Sequence, residues 1–261
     1  MKVLRVKIKG EKGELLAARL TLPEDKNPLH FALIAHCFTC NKNLNSIRNI
    51  SKAITASGFG VLSVDFTGLG HSDGDFADTN FSTNVLDLLS AANYLEEKYI
   101  APCLVIGHSF GGPAAIYAAS KLPSVKAVAT LAAPAEVDHV QHLLGDKVEV
   151  IREEGEAVVS VGGRSFTFEA HFLDDLNKHD LLGVVRQLNK PLLIMHSPQD
   201  TTVTIGHAER LYTEAKHPKS FISLDKADHL LIRKADALYA GEVIAAWVKR
   251  YLPGNDLKQN Q

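Results

Sequence analysis

The feature that most constrains the fold of this chain is a series of short, nearly unbroken apolar runs. They are HFALIAH (30–36), GVLSVDF (60–66), CLVIGH (103–108), VKAVATLA (125–132) and PLLIMHS (191–197). Runs of this length without a polar face are the pattern of strands buried on both sides, as in a parallel sheet. Segments of helical period lie between them. In NLNSIRNISKAITASG, residues Leu44, Ile47, Ile50 and Ile54 share a face, and Gly58 offers a C-terminal stop. In FSTNVLDLLSAANYLEEKY the shared face is Val85, Leu88, Leu89, Ala92 and Leu95. GPAAIYAASKL, IGHAERLYTEA and ADALYAGEVIAAWVKRYL read as further helices, and KSFISLD as a further strand. Strands alternating with helices predict an α/β fold: a mostly parallel central sheet with helices on both faces. Val3–Lys9 and Glu14–Leu20 precede it as two strands turning at Gly10 and Gly13, and GNDLKQNQ reads as a frayed polar tail.

One stretch breaks the rhythm, at about 133–187. Within it Val148–Ile151, Ala157–Val161 and Ser165–Phe168 alternate like strands, with turns at Glu154–Gly155 and Gly162–Gly163. The expectation is one domain over 1–261 with a small cap or lid inserted here, because inserts at the carboxyl ends of strands sit over the ligand crevice. A loop decoration without a binding role is the plainer alternative.

Charge excludes some classes of partner. Lys+Arg number 28 and Asp+Glu 30, a net charge of -2, so neither nucleic acid nor a membrane surface is expected. No apolar run approaches the ~20 residues of a membrane span, and MKVLRVKIKG lacks the apolar core of a signal peptide. Three cysteines imply no disulfide framework, and the expected compartment is the cytoplasm.

The chemistry starts at VIGHSFGGPAA. Gly107-His108-Ser109-Phe110-Gly111 is a G-x-S-x-G between a strand and a helix, the context a nucleophile elbow needs. The tight turn demands small neighbours and presents the serine at a helix N-terminus, where negative charge is favoured. A serine needs a base, and the base an orienting acid, in the chain order serine, acid, histidine. PLLIMHSPQDTTV places Asp200 past a strand end, and LDKADHLL places His229 in the loop after the next strand. The expected catalytic set is therefore Ser109, Asp200 and His229. Asp225 and Asp228 read as turn or cap residues, His196 as strand packing, and His108 as a residue shaping the elbow. His139 and His142, and His171 and His179, lack a third ligand of convincing spacing, so no metal is expected. Gly68-Leu69-Gly70 is followed by Gly74, too late for a dinucleotide fingerprint, and no cofactor is expected.

Acyl transfer also needs an oxyanion hole. The backbone N–H of Phe110, after the nucleophile, is one expected donor; the N–H of Phe38, in the loop His36-Cys37-Phe38-Thr39-Cys40, is the other. This explains that loop without its thiols. A redox pair is the rival reading of Cys37 and Cys40, although a thioredoxin-like C-x-x-C opens a helix.

Taken together, the elbow, the acid loop, the histidine loop and DFTGLGHSDGD (65–75) resemble the α/β-hydrolase superfamily over nearly the whole chain. AHCFTC, HSPQDTTV, HPKSFISLDKADHLL and AAWVKRYL narrow the resemblance to bacterial hydrolase domains often fused to an OsmC-like domain. No such second domain occurs in this sequence, and peroxidase chemistry is not carried over. Many relatives have His-Gly where this chain has His36-Cys37. The resemblance implies a serine hydrolase acting on small-molecule carboxylic esters of small to medium acyl groups through an acyl-enzyme. Leu143, Leu144, Phe166, Phe168 and Phe172 are either the lining of an apolar acyl pocket or the packing core of the insert. Thioesterase, amidase or peptidase chemistry on the same triad, or a non-catalytic binding module, are the alternatives. A homodimer is compatible with the sequence, which specifies no interface.

Overall fold

The computed structural model describes residues 1–24 and 27–252; the polar tail lies outside them. In chain order the elements begin with strands β1 (Lys2–Lys9), β2 (Leu15–Leu22) and β3 (Phe31–Ala35), then helix α1 (Asn45–Ala56), β4 (Gly60–Val64) and α2 (Phe81–Lys98). β5 (Leu104–His108), α3 (Gly111–Lys121) and β6 (Ala127–Leu131) follow. After an excursion, β9 (Leu192–His196), α7 (Ile205–Glu214), β10 (Lys219–Ser223) and α8 (Lys234–Val248) complete the body.

One eight-stranded sheet carries the order β1-β2-β4-β3-β5-β6-β9-β10. β2 runs antiparallel to both β1 and β4, and every pair from β4 through β10 is parallel. The five central strands, β4, β3, β5, β6 and β9, are buried at every position, which is why their sequences are unbroken apolar runs. α1 and α8 cover one face through Ile47, Ile50, Ile54, Ala240 and Ile244. α2, α3 and α7 cover the other, with Phe81, Leu88, Ala115 and Leu211 in its core. Because the central strands are parallel, the loops after β3, β5, β9 and β10 all leave from the same edge, the edge where ligands bind in open α/β sheets.

The excursion between β6 and β9 holds a 3₁₀ turn (Asp138–Leu143), α4 (Lys147–Glu154), a hairpin of β7 (Glu156–Val161) and β8 (Arg164–Glu169), α5 (Ala170–Leu176) and α6 (Leu181–Gln187). The hairpin forms its own two-stranded antiparallel sheet, as its alternation predicts. Val148–Ile151, expected as a strand, is instead part of α4. Ile151 is buried and Val148 packs beside it, an i, i+3 pair that serves a helix as well as a strand, and Gly155 ends the helix with φ +92°. The excursion is tied to the body at α2: Asp175 accepts from Ser82 N–H at 2.8 Å and from the Ser82 hydroxyl at 2.7 Å. α2 itself starts with a capping box between Asn80 and Thr83.

Candidate active site

Ser109 sits between β5 and α3 with φ +53°, a left-handed conformation that is strained for a residue with a side chain. The strain is held by the turn. Ser109 N–H donates to Leu131 O on β6, and Gly112 N–H returns to Ser109 O, both at 2.8 Å. The glycines are required by close approach. A Cβ at Gly107 would run into the backbone of Gly111, and one at Gly111 would lie 2.5 Å from His36 O and 2.6 Å from Ala35 O. The elbow is thus wedged against the end of β3.

The three residues expected to act together are brought together. His229 Nε2 lies 2.9 Å from Ser109 Oγ, and His229 Nδ1 lies 2.7 Å from Asp200 Oδ2. An ionised carboxylate only accepts, so Nδ1 carries the ring proton and Nε2 is left to accept from the serine hydroxyl. Asp200 also accepts from the backbone N–H groups of Thr202 and Val203, each at 2.9 Å. Burial pushes its carboxyl up, but the hydrogen bonds from His229, Val203 and Thr202 outweigh it and hold the group below the ordinary carboxylate range.

The other acids and histidines are occupied elsewhere. Asp225 accepts from the Ser223 hydroxyl, and Asp228 from the backbone of Leu230 and Ile232, so both are turn residues. His196 is buried and donates to Val203 O at 2.8 Å, bracing the loop that carries Asp200. His108 does more than shape the elbow: its Nε2 donates to His229 O at 2.7 Å, fixing the backbone of that residue. Burial, then the neighbouring His229, pushes its imidazole down to about 4, so it stays neutral at pH 7. His139 stacks against His142 and His207 with ring centroids 4.4 and 4.3 Å away. His171 and His179 are held by Ala77 O and by Asp175.

The loop after β3 packs beside the elbow, the Phe38 ring lying 5.2 Å from that of Phe110. Neither Phe38 N–H nor Phe110 N–H has an acceptor among the described residues. Two features of this loop escape sequence reasoning. Asp65, fully buried at the end of β4, accepts from Lys42 N–H at 2.5 Å and His71 N–H at 2.9 Å, and it pairs with the buried Lys42 ammonium. Only the acid that opens DFTGLGHSDGD hinted at this. Second, Cys37 and Cys40 form a disulfide, where three cysteines implied no disulfide framework; only Cys103 is free. The inserted hairpin closes over the same loop. Arg164 donates to Thr39 O, and the rings of Phe168 and Phe172 each lie 5.8 Å from Phe38. Phe166 meets Phe76, Leu144 is buried, and Leu143, expected with them, is exposed at the surface.

The crystal structure of the esterase domain from a Rhodothermus marinus protein is 46% identical to this chain. The match covers 96% of this chain and 99% of that one, with a TM-score of 0.79. This chain is an α/β-hydrolase. The family is one of serine hydrolases and esterases, as the sequence resemblance implied. Residues 32–153 of the hydrolase match the family model described as serine aminopeptidase, S33. Est1E from Butyrivibrio proteoclasticus with ferulic acid bound shares the fold at 21% identity, 93% and 98% coverage and a TM-score of 0.82. Mouse alpha/beta hydrolase domain-containing protein 10 shares it at 21% identity, 95% and 99% coverage and 0.78. No curated protein matches the hydrolase. Among its described residues no helix is long and apolar enough to cross a membrane.

Proposed function

We propose that the hydrolase is a carboxylesterase that cleaves small-molecule esters of small to medium acyl groups through an acyl-enzyme. The observation that carries this reading is the unbroken line of hydrogen bonds from Ser109 Oγ through His229 to Asp200. Ser109 Oγ attacks the ester carbonyl as His229 Nε2 takes its proton, and the oxyanion receives the N–H groups of Phe38 and Phe110. His229 then gives the proton to the departing alcohol. In the second half it takes a proton from water as the water oxygen attacks the acyl carbon, and it passes that proton to Ser109 Oγ as the acyl–Oγ bond breaks and the acid leaves. Asp200 keeps the ring in the working tautomer and stabilises the imidazolium. Apart from substrate and water, these steps use the protein's own groups. The stretch at 133–187 is the lid of this single-domain enzyme, and its Phe168 and Phe172 pack on Phe38 of the oxyanion loop.

The serine aminopeptidase description of the matching family model supports a second reading, in which the same triad cleaves a peptide or amide. Initial rates on p-nitrophenyl esters from acetate to palmitate, for the parent and Ser109→Ala, test the proposal. Turnover of short or medium esters that falls by roughly 10⁴-fold or more in the variant is expected. A parent inert to every ester but labelled by a fluorophosphonate would remove the ester assignment and favour amides. A parent that does neither would remove the serine-hydrolase mechanism.

A further inference from the structure

We infer that the Cys37–Cys40 disulfide is a positioning element for the second oxyanion donor, and that a dithiol opening it lowers turnover rather than substrate binding. The inference rests on the acyl-transfer reading of the site.

Cys40 N–H donates to Cys37 O at 3.1 Å, so residues 37–40 form one tight turn with Phe38 and Thr39 at its apex. Thr39 has φ +57°. That position in such a turn suits glycine, and a β-branched residue there is strained. Such strain persists only where the surroundings over-determine the backbone. Here the Phe38 ring is packed on Phe76, Phe110, Phe168 and Phe172, Thr39 Oγ1 donates to Phe38 O, and the remaining restraints on the turn are specific. The disulfide ties the two ends of the turn at a Cα separation of 5.3 Å. His36 donates from Nδ1 to Cys37 O at 2.8 Å, with its Nε2 free to accept from Phe66 N–H at 3.4 Å. Arg164, on the hairpin, holds Thr39 O. The disulfide is the only covalent restraint of the set, and it brackets Phe38, whose ring packs on Phe110 of the elbow and whose N–H is the proposed second donor. That N–H shares its peptide with Cys37 O, which Cys40 N–H and His36 Nδ1 hold; without the disulfide, relaxation of Thr39 breaks the Cys40 bond and leaves the peptide freer to turn.

The exchange chemistry balances. Cys37 is 3% exposed and Cys40 is partly exposed, so the thiolate of an external dithiol attacks Cys40 Sγ. Cys37 leaves as a thiolate. The second thiolate of the reagent then attacks the mixed disulfide and releases Cys40. Two electrons and two protons pass to the protein, and the dithiol becomes a cyclic disulfide. Cys103 takes no part, being buried at the opposite end of the neighbouring strand with its thiol donating to Phe31 O.

The test compares kcat and KM on p-nitrophenyl butyrate for the protein before and after dithiothreitol, with free thiols counted and folding checked by circular dichroism. Reduction is expected to lower kcat at least tenfold, against the roughly 10²–10³-fold cost of losing an oxyanion donor outright. KM should move less than threefold, and reoxidation should restore kcat. Cys37→Ser/Cys40→Ser should match the reduced enzyme and ignore dithiothreitol, while Cys103→Ser should behave as the parent. Thr39→Gly, which takes the positive φ without strain, should lose less on reduction than the parent. The rate of fluorophosphonate labelling gives the same comparison without depending on the ester, so a wrong substrate class and a wrong inference are told apart. An unchanged kcat and labelling rate with both thiols titrated free would overturn the inference, as would a Thr39→Gly enzyme as sensitive as the parent.

Discussion

Asp200→Asn separates orientation from packing at the proposed catalytic centre. The asparagine keeps Oδ1, so the bonds from Thr202 and Val203 N–H survive. Its NH₂ group takes the place of Oδ2, 2.7 Å from His229 Nδ1. Two donors then face each other. The ring responds by moving its proton to Nε2, where it points at Ser109 Oγ and cannot accept. Loss of the working tautomer costs roughly 10⁴-fold in kcat, or about 5.4 kcal/mol of activation free energy. Stability suffers much less. One charge-assisted hydrogen bond becomes a neutral one, a loss of about 1 kcal/mol, which for a domain of this size lowers Tm by roughly 2–4 °C. The assay is steady-state turnover of p-nitrophenyl butyrate beside a thermal melt. A variant within tenfold of the parent would refute the reasoning, and a large loss in Asp228→Asn or Asp225→Asn instead would move the orienting role to that residue.

Two further expectations concern the body of the fold. Burial foremost raises the Asp87 carboxyl to about 7, despite bonds from Thr67 N–H and hydroxyl. Between about pH 4 and pH 7 the native state therefore holds a proton that the unfolded chain has released, so this group's contribution to stability falls as pH rises, by about 1.4 kcal/mol per pH unit. Buried, neutral His108 acts oppositely, gaining stability as pH rises from about 4 to 6.5. Asp87→Asn should remove the first slope: the difference between variant and parent in urea-unfolding free energy should grow with pH over this range, and a flat difference would contradict it. Gly111→Ala forces a Cβ onto the carbonyls of Ala35 and His36. It should cost about 3 kcal/mol and lower Tm by roughly 6–12 °C, with a fall in kcat as the elbow and the β3 loop separate; a melt within 2 °C of the parent would show that the contact yields cheaply.

The central strands were legible because burial on both faces leaves no room for polar residues, so each was written as a continuous apolar run. The meeting of Ser109, Asp200 and His229 was legible for a different reason: each directly follows a strand or lies in the loop after one, and parallel strands deliver such loops to one edge. Val148–Ile151 was misread because a run of that length satisfies both periods, and the decision falls to what Ile151 packs against. The pairing of Lys42 with Asp65 was not legible beyond the hint of the acid that opens DFTGLGHSDGD. Each is an ordinary polar residue in a loop, and only the neighbouring ends of β3 and β4 make them a buried pair. The disulfide was obscured by sound arithmetic: three cysteines argue against a framework but say nothing about a local pair closing one turn.

The excursion between β6 and β9 leaves the sheet after Leu131 and rejoins it at Leu192, and these strands are direct neighbours, with Leu131 opposite Met195. Entry and exit therefore lie side by side on the rigid body, whatever stands between them. Closing a loop across a fixed gap costs only about 0.6 kcal/mol for each doubling of its length. The stretch behaves as an exchangeable cassette. A lineage can lengthen, shorten or replace it while Ser109, Asp200 and His229 keep their places, so under the proposed lid role the range of molecules admitted can drift faster than the proposed triad.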